Sequence, residues 1–158
     1  MANTQSMCTS FLGEVLTATH NFGTAPVRAS GAADTFKAAL FLTSATINAA
    51  TTAYSTSGEV SGAGYTAGGV AVTNATAPLA SNSSATAGVA YWTPSASITY
   101  TTVTLTTAFD CVLIYNSTQS DKAVSVHTFG SQTITAGTFT LTMPSNTTST
   151  ALLRLATT

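Results

Sequence analysis

The chain has 158 residues, and Asp, Glu, Lys and Arg supply only 6% of them, where about a quarter is usual. Its 44% apolar content and net charge of −1 exclude the weakly hydrophobic, highly charged composition of disordered chains. Serine and threonine make up about a third of the chain, so hydroxyl groups must keep its surface hydrated. A chain of this length buries a substantial core, and we expect a single domain over residues 1–158.

The few cationic residues are scattered along the chain, which excludes the basic stripe that neutralises phosphates in a nucleic-acid binder. They are Arg28, Lys37, Lys122 and Arg154. The first residues lack the basic and apolar regions of a secretory leader, and no apolar run reaches the length of a membrane-spanning helix. We therefore expect neither nucleic acid nor a membrane as a partner.

Apolar residues near the start of the chain recur at a spacing of three to four, which predicts a helix over residues 6–18. Met7, Phe11 and Val15 share one face of this helix, and a serine or threonine is available to cap it. Asn21 to Gly23 should end the helix, and residues 24–33 read as a loop.

From residue 34 the apolar period changes to two, and an antiparallel, jelly-roll-like β-sandwich is predicted over residues 34–158. A long loop region is expected over residues 43–69, and a loop of that length usually carries function or an interface. Strands are predicted near residues 34–42, 69–73, 88–92, 98–106, 109–115, 123–129, 132–135, 139–143 and 151–155. Residues 116–122 and Ala136-Gly137 should form turns between them. The fold class is thus mainly β with one short N-terminal helix.

The residues suited to catalysis are few. His20 and His127 lie far apart in the sequence, and no G-x-S-x-G nucleophile motif is present, so we assign no catalytic or cofactor-binding residue and expect no enzyme. The two cysteines and two histidines lack zinc-site spacing, which predicts no metal site and no cofactor. Cys8 and Cys111 are expected to be buried thiols, although a disulfide between them stays open.

Two other patterns suggest binding surfaces. Tyr91, Trp92 and Tyr100 would form a carbohydrate-binding platform if they lay together on an exposed face, or would pack in the core or at a subunit contact. Threonines at a two-residue period over residues 99–106 and 133–142 would suit an ice-binding surface, but no fixed repeat runs through the chain.

The low charge itself points to an assembly. In soluble monomers, charges, prolines or bulges usually keep edge strands from pairing with other chains. This chain has few charged residues that could protect its edge strands in this way. Neighbouring subunits are then expected to cover the edges and apolar faces. The interface residues we predict are Met7, Phe11 and Val15 of the helix, with Tyr54 and Tyr65 of the 43–69 region.

Several segments along the chain form one pattern. They are Thr9-Ser10-Phe11, Thr19-His20-Asn21-Phe22, residues 34–41, residues 59–69, Leu113-Ile114-Tyr115-Asn116 and the closing strands after Gly137. This pattern resembles a group of small structural proteins of tailed bacteriophages, with a longer loop from Gly23 to Ala33. The resemblance implies a virion component, assembled in the host cytoplasm, with no catalytic residues.

Length and weak charge narrow this expectation to a capsid cement or decoration protein. Such a protein would bind the major capsid protein and itself, as a homotrimer. A tail, collar or fibre-base subunit and a carbohydrate-binding host-recognition module are the alternatives.

Overall fold

The computed structural model describes residues 3–16, 18–22, 33–73, 77–81 and 88–156, and these fold mainly into β-strands. The elements are β1 (Ser6–Met7), α1 (Thr9–Leu16), β2 (Phe36–Leu42), β3 (Val70–Ala71), β4 (Leu79–Ser81), β5 (Val89–Trp92), β6 (Ile98–Asn116), β7 (Lys122–Leu141) and β8 (Leu153–Ala156). A five-stranded sheet has the order β1-β7-β6-β2-β3, and a three-stranded sheet has the order β4-β5-β8. All paired strands are antiparallel, which confirms the mainly β, sandwich-like fold with one short helix.

The β6–β7 hairpin is the centre of the larger sheet. Its strands are 19 and 20 residues long and are joined by the turn over residues 117–121. The C-terminal half of β6 is covered on its other side by β2, with Phe36 opposite Asn116 and Leu42 opposite Phe109. Every residue of β6 from Cys111 to Asn116 is buried. The apolar run from Cys111 to Tyr115 is typical of a strand that is covered on both faces.

The core joins the two sheets. On the smaller sheet, Trp92 of β5 lies opposite Leu153 of β8, and both are buried. The Trp92 ring packs against Phe22 and Phe36, whose ring centroids lie 4.8 and 6.2 Å from it. Aromatic side chains therefore link the helix-proximal segment, the larger sheet and the smaller sheet.

The predicted segmentation of the long strands is wrong. The strands predicted at 98–106 and 109–115 are one strand, and the three predicted between 123 and 143 are also one. The predicted turn at Ala136-Gly137 is instead an irregularity inside β7, where Val103 pairs with Gly137 but Leu105 pairs with Ile134. Ala136 adopts a φ of 46° there, and the ladder resumes on both sides because a β-bulge interrupts a strand without ending it.

The helix and the loop regions differ less from prediction. α1 begins at Thr9 and not at residue 6 as predicted, because Ser6–Met7 forms β1 and pairs with β7. Residues 24–32 of the predicted loop fall outside the described residues. The 43–69 region holds no named strand, as expected, yet it follows the larger sheet closely through bridges at Glu59, Ala53 and Ala63. It therefore packs along the protomer instead of projecting from it.

We predict that Gly69→Ala strongly destabilises the fold. Gly69 has a φ of 71°, and an added Cβ would lie 1.7 Å from the carbonyl oxygen of Ala38. Backbone strain and overpacking together should lower the free energy of unfolding by about 2–4 kcal/mol. Urea unfolding measures this change.

The matched control is Gly130→Ala, because nothing lies within 4 Å of a Cβ added at Gly130. This variant should stay within about 0.5 kcal/mol of the natural protein. Equal losses for the two variants would contradict the close packing of residue 69 on β2.

Candidate interaction surface

The ladder between β2 and β6 ends at Phe109, and beyond it β6 and β7 continue as a two-stranded segment, which we call the distal hairpin (residues 98–108 and 130–141). Its apolar residues Tyr100, Val103 and Leu105 are buried, whereas Thr99 and Thr106 are exposed. On β7 the exposed threonines are Thr133, Thr135, Thr138 and Thr140. Residues 98–109 and 123–153 contain no Asp, Glu, Lys or Arg. The distal hairpin therefore presents hydroxyl groups to solvent without any charge.

Repeated register shifts make this threonine surface irregular. They occur between Tyr100 and Val103, between Val103 and Leu105, and between Leu105 and Phe109 on β6. Thr102 has a φ of 53°, so the side-chain alternation is broken beside it. An ice-binding surface needs evenly spaced hydroxyl groups, and this geometry does not provide them.

The outer edge of β7 is the longest edge of the larger sheet left open by the described residues. β1 pairs only with Ser125 and Val126, and no described strand pairs with the outer side of β7 from Phe129 to Leu141. Open edges offer unpaired N–H and C=O groups to another chain. This edge therefore has the chemistry to accept a further strand.

Bulges partly guard this edge, although the low charge predicted few guards on the edge strands. Thr128 pairs with Cys111 but Gln132 pairs with Phe109, so extra β7 residues around Gly130 are left outside the regular ladder. A glycine within a strand pattern was the available signal for such a bulge. The β7 edge is thus guarded by its irregular backbone and not by charge.

The interface residues predicted on the helix pack within the protomer, and Met7 lies not on the helix but in β1, where it pairs with Ser125. Phe11 is 2% exposed and belongs to the core, while Met7 and Val15 are half-buried against that core. Leu12, on the same helix, is 47% exposed and was not predicted. The single chain does not test the interface role of Met7, Phe11 and Val15, which stays a prediction.

Tyr54 and Tyr65 meet at a buried carboxylate. The hydroxyls of Tyr54 and Tyr65 donate to Glu59 at 2.6 and 2.8 Å, and the Gly68 N–H donates to it at 2.8 Å. Tyr65 also accepts the Leu40 N–H at 3.0 Å, so it ties the 43–69 region to β2. Burial and the Glu59 carboxylate raise the pKa of both tyrosines, which keeps their hydroxyls protonated as donors. Their proposed contacts outside the protomer stay a prediction.

The aromatic platform predicted as one alternative is not on the surface. Trp92 and Tyr100 are each 2% exposed, and the Tyr100 hydroxyl donates to the Ala38 carbonyl at 2.8 Å. Only Tyr91 is half-buried. The rings lack the shared exposed face that stacking on a sugar requires, so the core interpretation of Trp92 and Tyr100 is the correct one.

An apolar cavity of about 420 Å³ lies between α1 and the smaller sheet. Phe11, Val15, Trp92 and Leu155 contribute to its walls, and His20 lies at one side. Both ring nitrogens of His20 are already within hydrogen-bond distance of side chains, those of Glu14 and Asn116. His20 therefore has no free nitrogen with which to take a proton from a bound molecule.

His127 is equally unsuited to catalysis. Its Nε2 lies 2.9 Å from the Ser125 hydroxyl, but Ser125 is 1% exposed, so a substrate carbonyl cannot reach that oxygen. Burial lowers the pKa of His127 to about 4, which makes it a weak base at neutral pH.

The cysteines are buried free thiols, as expected. Burial raises the pKa of Cys8 to about 11 and that of Cys111 to about 12, so both are unreactive at neutral pH. Across the described ranges, no three His, Cys, Asp or Glu side chains come together as a metal site would require.

Comparison of the chain with protein-family models, with curated proteins and with solved structures found no match. In the part of the chain that the structure describes, no helix is long and apolar enough to cross a membrane.

We predict that Tyr65→Phe lowers the free energy of unfolding by about 1–3 kcal/mol, because it leaves the Leu40 N–H without its acceptor and Glu59 without one donor. Tyr91→Phe is the matched control, since the Tyr91 hydroxyl bonds to no described residue and its loss should cost under about 0.5 kcal/mol. Thermal or urea unfolding of both variants measures the difference. Similar losses would show that the Tyr65 hydroxyl is not a tie between the 43–69 region and β2.

Proposed function

We propose that this protein is a structural subunit of a bacteriophage virion, most specifically a capsid cement or decoration protein that bridges and stabilises coat subunits. The observation that carries the proposal is the long, uncharged outer edge of β7, open among the described residues from Phe129 to Leu141. An open edge of this kind is stabilised when a further chain pairs with it. The phage context is supported by the resemblance of the six sequence segments.

A cement protein acts mechanically. It adds buried interface between neighbouring coat subunits and so resists the outward pressure of packaged DNA. The distal hairpin suits this role because its backbone edge and threonine methyl and hydroxyl groups give contact area without desolvating charges. No catalytic group is needed.

A homotrimer fits an edge of this kind. In a ring of three, each β7 edge would meet a different surface of the next protomer, which closes the assembly without leaving an edge free. The major capsid protein would then contact the outer surface of the ring. A tail, collar or fibre-base subunit would use the same edge. Only its position in the particle distinguishes this alternative from a capsid cement protein.

The carbohydrate-binding alternative has less support. Trp92 and Tyr100 are buried, so the side chains that would stack on sugar rings already pack in the protomer. The enzyme alternative is likewise weak, since the nitrogens of His20 are engaged and Ser125 is buried.

We predict that attachment to the capsid depends weakly on salt. Between about 0.1 M and about 1 M salt the Debye length shortens from about 10 Å to about 3 Å, yet an interface without charges gains nothing from unscreened attraction. Binding of the purified protein to phage heads that lack it, measured by co-sedimentation, should change less than about threefold. Loss of attachment at moderate salt would contradict an uncharged interface.

We further predict that Thr133→Lys dissociates the trimer. Thr133 is exposed on β7, and a lysine at an edge strand opposes pairing with another chain. Sedimentation velocity should show a monomer for this variant and a trimer for the natural protein. Thr148→Lys adds the same charge at an exposed turn outside the predicted interface residues and should stay trimeric. A Thr133→Lys trimer as stable as the natural one would place the contact elsewhere.

A further inference from the structure

A chain of polar side chains connects α1 to the turn of the β6–β7 hairpin. Glu14 of α1 accepts a hydrogen bond from Lys122 Nζ at 2.6 Å through Oε1, and its Oε2 lies 2.7 Å from His20 Nε2. The other ring nitrogen, His20 Nδ1, lies 3.0 Å from Asn116 Nδ2. The His20 side chain is fully buried, so each of these contacts must satisfy the ring within the protein.

The surrounding hydrogen bonds fix the orientation of the Asn116 amide. Its Oδ1 accepts the backbone N–H groups of Thr118 and Gln119 at 3.1 and 3.2 Å. Its Nδ2 donates to Asp34 Oδ2 at 2.8 Å. A reversed amide would turn its oxygen toward the Asp34 carboxylate and its N–H groups toward two other donors. Asn116 therefore presents an N–H to His20.

This orientation determines the tautomer of His20. Nδ1 must accept the Asn116 N–H and so carries no proton, and the single ring proton lies on Nε2, which donates to Glu14. A second proton on Nδ1 would set two N–H donors against each other. Protonation of His20 is therefore incompatible with the present packing of Asn116.

The charges around His20 are mixed. Glu14 of α1 and Asp34 before β2 favour a charged ring, whereas Lys122 at the start of β7 opposes it. Burial outweighs the favourable pair and lowers the pKa of His20 below its usual value. The aromatic neighbours, which offer no polar compensation, are Phe11, Phe22 and Phe36.

We propose that His20 is a proton-operated latch. Its neutral Nε2–H form holds α1 against the β6–β7 turn, and protonation at Nδ1 in mildly acid solution breaks the bond to Asn116 and releases the helix. The inference rests on the side-chain cluster alone and does not depend on the virion assignment.

The direction of the pH dependence follows from the lowered pKa. The released state binds a proton near the ordinary histidine pKa of about 6.5, whereas the docked state does so only at lower pH. Docking of α1 is therefore at full strength above about pH 6.5 and weakens as the pH falls below it. Burial raises the pKa of Glu14, but its bonds to Lys122 and His20 outweigh burial and lower that pKa below its usual value. Glu14 therefore takes up a proton only in more acid solution than an ordinary glutamate does.

The test uses the fact that the chain has only two histidines. His127→Gln leaves His20 as the one imidazole, and long-range ¹H–¹⁵N NMR then reports its tautomer and its titration. We expect the Nε2–H tautomer at pH 7.5 and a midpoint below 6.5. An Nδ1–H tautomer, or a midpoint at or above 6.5, overturns the proposal.

Release of the helix is measured by amide hydrogen exchange in residues 9–16. In the His127→Gln protein, the protection factors of residues 9–16 should fall by up to about tenfold for each unit by which the pH is lowered. This fall should occur between the His20 pKa of the released state and the His20 pKa of the docked state. In His20→Gln this pH dependence should be absent. Should His20→Gln fail to fold, the His127→Gln protein still decides: protection in α1 that is flat from pH 7.5 to 5 overturns the latch.

Discussion

The backbone pairing of β6 with β7 is the interaction on which the rest of this structure depends. β2 pairs with the buried half of β6, and the strand ends that flank the β6–β7 turn supply Asn116 and Lys122 to the cluster that holds α1. The same pairing continues into the distal hairpin, where one face is buried and the other exposes threonine. Among the described residues, this strand pair leaves the outer edge of β7 open, and its backbone N–H and C=O groups can pair with a further strand.

The proposed function follows from that constraint. Water satisfies an open edge in a monomer, but a second chain satisfies it while also burying the threonine methyl groups and nearby apolar rings. The bulges around Gly130 and Ala136 restrict which strand can pair, since only a partner that follows the same irregular path makes a continuous ladder. An irregular edge therefore favours one specific neighbour over unspecific association, as a subunit of an ordered particle requires.

Much of the fold was predictable because hydrophobic periodicity is local. The two-residue alternation of Phe36 to Leu42 predicted β2 correctly, and the separate strand predicted over residues 109–115 is part of β6. The continuity of β7 was not predictable, because Gly130 and Ala136-Gly137 carry the local signals of turns while the ladder to β6 overrides them. The short strands β1 and β4 owe their existence to partners across the sheet and leave almost no pattern of their own.

The polar clusters were harder to predict than the strands. Nothing in the spacing of Glu14, His20 and Asn116 shows that they meet, since the contact depends on how the chain returns to the β6–β7 turn. Glu59 likewise gathers Tyr54 and Tyr65 through backbone turns that the Ser- and Gly-rich segment does not specify. Trp92 is buried by packing between the two sheets, and Tyr100 by packing against β2, Tyr65 and Phe139, which no local pattern determines.

Hydrogen exchange along β7, compared between the assembled particle and the dilute isolated chain, tests the central claim most directly. The account predicts that amides between Phe129 and Leu141 gain protection on assembly, while those of the buried segment from Ala123 to Val126 are protected in both states. Unchanged exchange at residues 129–141 in the particle would mean that no neighbour pairs with this edge, and would contradict the account.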